Sequence, residues 1–349
     1  MKQHHILTVP AVLVSAFIVL TTSTAQSADL APLDRVFVWD KMSTKSKGAI
    51  AEFRRLYRER NERELAGHDE AARAELLTSF ERCLDYSYAA DLLGANKLLR
   101  ELDSKYQNEP VILWHLAVNY FLLARRLHED DADGQAKVFR KGVEKSKQCL
   151  DIDDTNPDCW LAYAASKGAL SLAEGIFETL SEISGVGDAM HRAYDILQTE
   201  KDPYPMAPWG VDSKHVAVGA LAEFYRLVPD SWIFGVLAGV QADKKKAWFY
   251  ANQMPVQELG SANIVGRSAL CHGAESDNQK LIERGISVVA RGVNYELVHP
   301  FDESEYRRLA RLYNAIGDLA DPEPDDYFEL GCHEFGNDDD EALEKKSTN

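Results

Sequence analysis

The sequence has little that builds sheets. Asn-Gly does not occur, and the one Asp-Gly, Asp133–Gly134, lacks the alternating apolar flanks of a hairpin. Runs of β-branched residues with a two-residue period are hard to find, which argues against sandwiches and barrels. Signatures of catalysis and nucleotide binding are missing too. There is no G-x-S-x-G elbow, no P-loop, no G-x-G-x-x-G and no H-E-x-x-H, so hydrolase, nucleotide-dependent and zinc-protease chemistry have no motif to stand on. Positive charge is in short supply, with 39 Lys and Arg against 56 Asp and Glu and a net charge of −17. That balance argues against nucleic acid and anionic membranes as partners, since both would repel the chain.

What is present begins with an N-terminal targeting pattern. Lys2, His4 and His5 form a short basic region, Ile6 to Leu20 is apolar apart from Thr8, Pro10 and Ser15, and Thr21 to Ala28 is small and polar. The pattern predicts a secretory signal peptide over residues 1–28, cut between Ala25 and Ala28. An uncleaved anchor is the alternative, but the apolar run is shorter than the roughly 20 residues that span a bilayer. No cysteine lies between Leu20 and Asp29 to carry a lipid. The expected location is the periplasm, with no transmembrane segment after cleavage.

Five cysteines are present. Cys149 and Cys159 flank a predicted turn, so a bridge and two buried thiols both remain open. Cys83 sits on an apolar stripe and reads as a small buried hydrophobe. Cys271–His272 and Cys332–His333 are pairs of soft metal ligands, yet neighbours on a helix point apart, so no metal or cofactor is expected. Glu129, Asp131, Asp133 and Gly134 match early places of a calcium loop. The twelfth place, however, is Arg140 where a bidentate carboxylate is needed, so a solvated turn is the preferred reading.

Helical periodicity fills the rest. Ile50, Phe53 and Tyr57 recur at spacings of three and four, as do Leu76, Leu77, Phe80, Cys83, Leu84 and Tyr88, then Ala95, Leu98, Leu99 and Leu102. Pro110 opens a helix bearing Trp114, Val118, Phe121 and Leu122, and a further helix is expected over about 135–150. Asn156 caps the next helix and Pro157 starts it. Beyond a proline-rich loop at 202–210, helices are expected near 213–228, 231–239, 243–254, 261–271, 276–291 and 303–316. A helix, a turn and a proline-opened helix with an early Trp recur at Pro110 and Pro157. The predicted fold is all-α: stacked antiparallel helix hairpins forming a tetratricopeptide-like α-solenoid with a central cleft or pore. The predicted domains are the signal peptide at 1–28, one repeat domain over 29–320 and an acidic, mobile tail over 321–349.

Three segments carry a family resemblance: Asn156 to Leu197 (N-P-D-C-W-L-A-Y-A-A-S-K-G-A-L, then G-D-A-M-H-R-A-Y-D-I-L), His215 to Tyr225, and A-G-V-Q-A-D-K-K-K-A-W-F-Y-A from Ala238 to Ala251. Over residues 75 to 255 the chain resembles the T component associated with TRAP transporters, a periplasmic protein of degenerate tetratricopeptide hairpins. The resemblance implies interaction with a substrate-binding protein and a small apolar ligand. The lack of an anchoring cysteine and the unmatched region 260–349 depart from that family.

The helix from Trp160 is rich in Ala, Gly and Ser, which allows close packing or leaves room for a ligand. Lys167 and Glu174 share one of its faces. Core packing is the usual role of aromatics at helical spacing. A ligand-binding cleft lined by Trp114, Asn119, Trp160, Tyr163 and Lys167 is the alternative carried forward. His191 and Arg192 on the next helix suit an anion, with a surface ion pair the plainer role for Arg192. The expected function is a non-enzymatic periplasmic adaptor that binds a substrate-binding protein or another envelope protein, with self-association a further partner to test. The alternatives are an envelope assembly scaffold and an envelope enzyme with its site in 260–349.

Overall fold

A computed structural model describes residues 30–127, 131–175, 180–206, 211–228, 241–319 and 322–332. The signal-peptide reading of 1–28 and the helix expected at 231–239 lie outside these residues. Helix starts arise from short polar side chains placed before amphipathic runs. Ser43, Asp69, Asp91, Asp131, Asn156, Asp212, Asp243 and Asn278 each accept a hydrogen bond from an amide in the first turn of the adjoining helix. Each satisfies a donor that the helix itself leaves open. Pro110, Pro157 and Pro324 occupy first-turn positions, where no amide hydrogen is missed. Asp131 is one of these caps, which accounts for the acidic run that imitates a calcium loop.

The helices are α1 (Thr44–Glu64), α2 (Glu70–Tyr88), α3 (Leu92–Lys105), α4 (Pro110–Arg125), α5 (Ala132–Ile152), α6 (Pro157–Glu174), α7 (Leu180–Thr199), α8 (Ser213–Leu227), α9 (Lys244–Ala251), α10 (Leu259–Glu275), α11 (Gln279–Gly292), α12 (Asp302–Gly317) and α13 (Pro324–Gly331). Among the described residues the strands amount to one antiparallel pair, β1 (Pro205–Met206) and β2 (Val211–Asp212). The all-α hairpin architecture read from the sequence is therefore the architecture observed.

Successive helices pack as antiparallel neighbours, most extensively α4 with α5, α5 with α6, and α10 with α11. A second set of contacts sets the curvature. Helices α4, α6, α8, α10 and α12 also touch one another next-but-one along the chain. The helices between them, α5, α7, α9 and α11, make no comparable contacts with each other. The first set therefore forms the inner layer of a bent stack and the second the outer layer.

The bend brings the two ends together. The extended segment before α1 lies along α12: Ala31 and Asn314 exchange two hydrogen bonds, and the Tyr306 hydroxyl donates to the Pro32 carbonyl. Arg35 donates to the Val293 and Tyr295 carbonyls. Glu296 accepts from the amide and hydroxyl of Ser43 and the hydroxyl of Ser46. The Tyr88 ring of α2 meets His299 at 4.7 Å between centroids.

Two large apolar clusters make most of the core, one from α1–α7 with Met206 of β1 and Ala217 of α8, and one from α8–α13, with Tyr194 of α7 packed against both. Two disulfides reinforce it. Cys149–Cys159 ties α5 to the first turn of α6, and Cys271–Cys332 ties the end of α13 to α10. Cys83 is a free, buried thiol. The stretch expected to be a mobile tail from residue 321 thus starts as a packed helix, and Tyr327, Leu330 and Cys332 are buried.

Candidate functional site

The five residues read as a ligand cleft are distributed through the inner layer and its packing. Trp114 is fully buried in the first core cluster, with its ring against His115 and beneath the Arg60 guanidinium at 5.0 Å. Asn119, also buried, accepts from the Asn96 side chain at 2.8 Å and donates to the Leu92 carbonyl. Trp160 is half-buried, and its indole N–H donates to the Asp154 carbonyl at 2.8 Å. Tyr163 joins the small clusters around Phe139 and Val186, with the Lys147 ammonium 5.9 Å from its ring. Lys167 is half-buried on the same helix. Asn119 lines a small space of about 30 Å³, walled also by Tyr57, Cys83, Ser87 and His115. That is room for a water or two.

The groups around that cavity are tuned against reactivity. His115 Nδ1–H donates to the Val111 carbonyl at 2.6 Å, so Nε2 accepts from the Tyr57 hydroxyl. Burial holds the imidazole neutral, lowering its pKa to about 3. Burial also raises the Cys83 thiol to about 12, which leaves it protonated and a poor nucleophile at neutral pH. Neighbouring Arg60, 1% exposed, pairs with Glu64 and Asp158 and donates to the Pro205 carbonyl at 2.7 Å. The Tyr204 ring covers it at 3.9 Å. This knot fastens α1 to α6 and to the β1 loop.

On the inner layer, arginines from four helices lie near one another, with Arg226 and Arg267 buried and Arg125 exposed. Glu223 of α8 takes a bidentate pair from Arg226, at 3.0 Å from Nε and 2.7 Å from Nη2. Burial alone would raise the Glu223 pKa. The charges of Arg226, Arg267 of α10 and Arg308 of α12 outweigh it and lower the pKa instead. Arg267 donates to Asn263 at 3.0 Å, and Asn263 donates to Glu305 of α12 at 3.0 Å.

Arg125 lies at the end of α4, far from α12 in sequence. The charges of Arg308 and Glu305 still act on it, and its neighbour Arg126 meets Phe301 just before α12, so the end of α4 lies near the start of α12. Arg125 is exposed to solvent yet surrounded by protein, and this crowding together with the Arg308 charge lowers its pKa. Arg125 makes no ion pair among the described residues, whereas Glu223 and Glu305 are engaged. Arg226 is paired with Glu223 and Arg308 with Glu305, so the exposed Arg125 leads the positive charge of this edge on a protein of strongly negative net charge.

Sequence reasoning missed this cluster because its members come from α4, α8, α10 and α12. The one local trace is the adjacent pair Arg125–Arg126 at a helix end, which reads as ordinary complementarity to the helix dipole. The adjacent Cys–His pairs also resolve. Cys271 and Cys332 meet as a disulfide, and no group of metal-binding side chains forms among the described residues.

A family model described as regulator of microtubule dynamics protein 1-3 matches residues 80–206, from the middle of α2 to the end of β1. That is a little over a third of the chain. No curated protein matches it. The match overturns the resemblance to the T component of TRAP transporters over residues 75–255. The segments that suggested it are proline-opened, alanine-rich hairpins. That pattern answers to close helix packing and so is shared by unrelated repeat proteins. With it go the transporter-associated adaptor function, the periplasmic location and the two envelope-bound alternatives.

Proposed function

We propose that the chain is a non-catalytic binding protein. Its concave face takes an acidic segment of a protein partner at Arg125, beside Arg308, and this binding serves the control of microtubule dynamics. The observation that supports the binding mode is the exposed Arg125 at the end of α4, where its neighbour Arg126 packs over Phe301 just before α12. Guanidinium groups suit such a site because their planar forks grip carboxylates in pairs. The cellular role is supported by the family matched over residues 80–206, whose description is regulation of microtubule dynamics. The binding role also fits the neutral, buried state of His115 and Cys83, which leaves neither ready for general base or nucleophilic work.

Two measurements test the reading. The purified protein added to polymerising tubulin should change the rate or extent of assembly read by turbidity. Assembly curves indistinguishable from buffer would remove the microtubule role. A labelled hexaglutamate peptide should bind the protein, and the double substitution Arg125→Glu, Arg308→Glu should weaken it at least tenfold. Equal binding by both proteins would remove the arginine face as the site.

A further inference from the structure

We infer that helix α13 is a redox latch. The Cys271–Cys332 disulfide holds it on α10, and a dithiol reductant that opens this bridge lets the helix leave and uncovers the surface of α8 and α10 beneath it. The latch stands apart from the reading of Arg125 as a binding residue.

Helix α13 is a small element near the end of the chain. It has eight residues, too few to stay helical alone in water, so its helix depends on docking. Tyr327 and Leu330 are its large buried side chains, and α10 is its main neighbour, followed by α12. The Gly331 carbonyl accepts from Arg226 Nη1 of α8 at 2.7 Å. Gly331 itself lies flat against α10: a methyl placed on it would be 3.4 Å from the Arg267 carbonyl, the Cys271 sulfur and Leu270 Cβ. The bridge closes at this point, through the very next residue.

The two disulfides differ in what they hold. Cys149–Cys159 spans 10 residues between α5 and α6, which pack extensively on each other and on α4, and both cysteines belong to the first core cluster. Opening it frees no element. Cys271–Cys332 spans 61 residues. Once it opens, α13 is joined to the body only through the six residues 318–323 after α12. So short a tether keeps an effective concentration in the millimolar range, so the released helix can dock again and the bridge can re-form. Both cysteines are buried while α13 is docked, so attack follows fraying of its last turn. One thiolate of the reductant then attacks the Cys332 sulfur, the S–S bond breaks, and Cys271 leaves as a thiolate that takes up a proton. The second thiol of the reductant closes its own disulfide and frees the Cys332 thiol. The protein gains two electrons and two protons, and the dithiol is oxidised. Undocking uncovers Leu270 and Cys271 and takes the Gly331 carbonyl from Arg226, which keeps its bidentate pair with Glu223.

The test compares the oxidised full chain, the same chain in graded dithiothreitol, and the chain carrying Cys271→Ser with Cys332→Ser, which sets the open state without reductant. Alkylation under native conditions, followed by peptide mapping, reads which bridge has opened. Hydrogen exchange resolved by peptide reads the docking of α13.

Cys271 and Cys332 should become alkylated at dithiothreitol concentrations that leave Cys149 and Cys159 bridged. With the bridge open, by reduction or by substitution, the amides of α13 should exchange at least about tenfold faster while those of α4–α6 keep their rates. Reoxidation should restore the protection. Unchanged exchange in α13 with the bridge open would overturn the latch, because packing alone would then hold the helix. Loss of protection throughout the chain would overturn it as well, because the bridge would then hold the whole fold. So would opening of Cys149–Cys159 before Cys271–Cys332, or of both together.

Discussion

Two buried histidines and two half-buried carboxyls pull the stability of this protein in opposite directions as pH changes. His115 and His299 are both driven to a pKa of about 3, His115 by burial and His299 by burial and the Arg126 charge. Both are neutral in the fold, while the unfolded chain protonates them near pH 6.5. Between about pH 6.5 and 3 the unfolded state binds the extra protons, so this pair alone removes stability as pH falls. Glu258 is raised to about 7 by burial and Asp302, and Asp302 to about 6 by burial and Glu305. These carboxyls keep protons in the fold that the unfolded chain has released, so they add stability as pH falls from about 7 to 4. The two effects should offset, leaving stability nearly flat over pH 4.5–6.5. Replacing both acids, Glu258→Gln with Asp302→Asn, exposes the histidine contribution. Urea titrations of that variant should show stability falling by about 2–3 kcal/mol per pH unit as pH drops through this range, since each uncompensated proton contributes about 1.4 kcal/mol per unit. A variant whose stability stays flat through this range would show that the histidines are not held neutral, and parallel profiles for variant and parent would show that the two acids are not raised.

Between helices, the packing distance decides what a glycine is for. Gly285 of α11 faces α10, and a methyl there would lie 3.0 Å from the Gly266 carbonyl oxygen and 2.8 Å from Leu270 Cγ. Backbone of a neighbouring helix cannot step aside as a side chain can. The roughly 1 kcal/mol that alanine gains over glycine in a helix is then exceeded by an overpacking cost of about 1–3 kcal/mol. Gly48 of α1 is exposed, with nothing within 4 Å of such a methyl. Gly285→Ala should therefore lower the unfolding free energy and Gly48→Ala should raise it by up to about 1 kcal/mol. Shifts of the same sign in urea denaturation would contradict the close approach of α10 and α11.

Helix by helix, the fold was largely legible. The proline at 110, the Asn156–Pro157 start and the stripes through Leu76–Tyr88 act within one or two turns, and each lies where the spacing put it. Helix α10 was harder to read. It is buried on nearly every side by α8, α9, α11, α12 and α13, so it carries no polar face to mark its period, and its expected span of 261–271 fell short of Leu259–Glu275. The aromatics point the same way. Trp114 at helical spacing is core, the commoner role, and spacing alone does not separate a wall from a filling. The arginine face and the ring closure were illegible because both join residues from helices far apart in the chain, as Ala31 joins Asn314.

For the whole molecule, the sign of the charge depends on the distance from which it is seen. The full chain carries −17, while its interior edge is led by Arg125 and Arg308. An acidic segment approaching from bulk water meets the net charge first and the arginines last. At about 10 mM salt the screening length is near 30 Å, so repulsion by the whole protein is felt before contact. At about 150 mM it shrinks to about 8 Å, and only nearby charges count. Steering by long-range fields acts on the association rate, while close ion pairs act mainly on dissociation. Stopped-flow binding of labelled hexaglutamate should therefore show an association rate that rises between these two salt concentrations, alongside a dissociation rate that also rises. Neutralising the acidic run at 338–341 removes four negative charges and should flatten the rise in association. An association rate that falls steadily with salt would mean that the peptide meets a positive outer surface, and the inner arginines would not be its site.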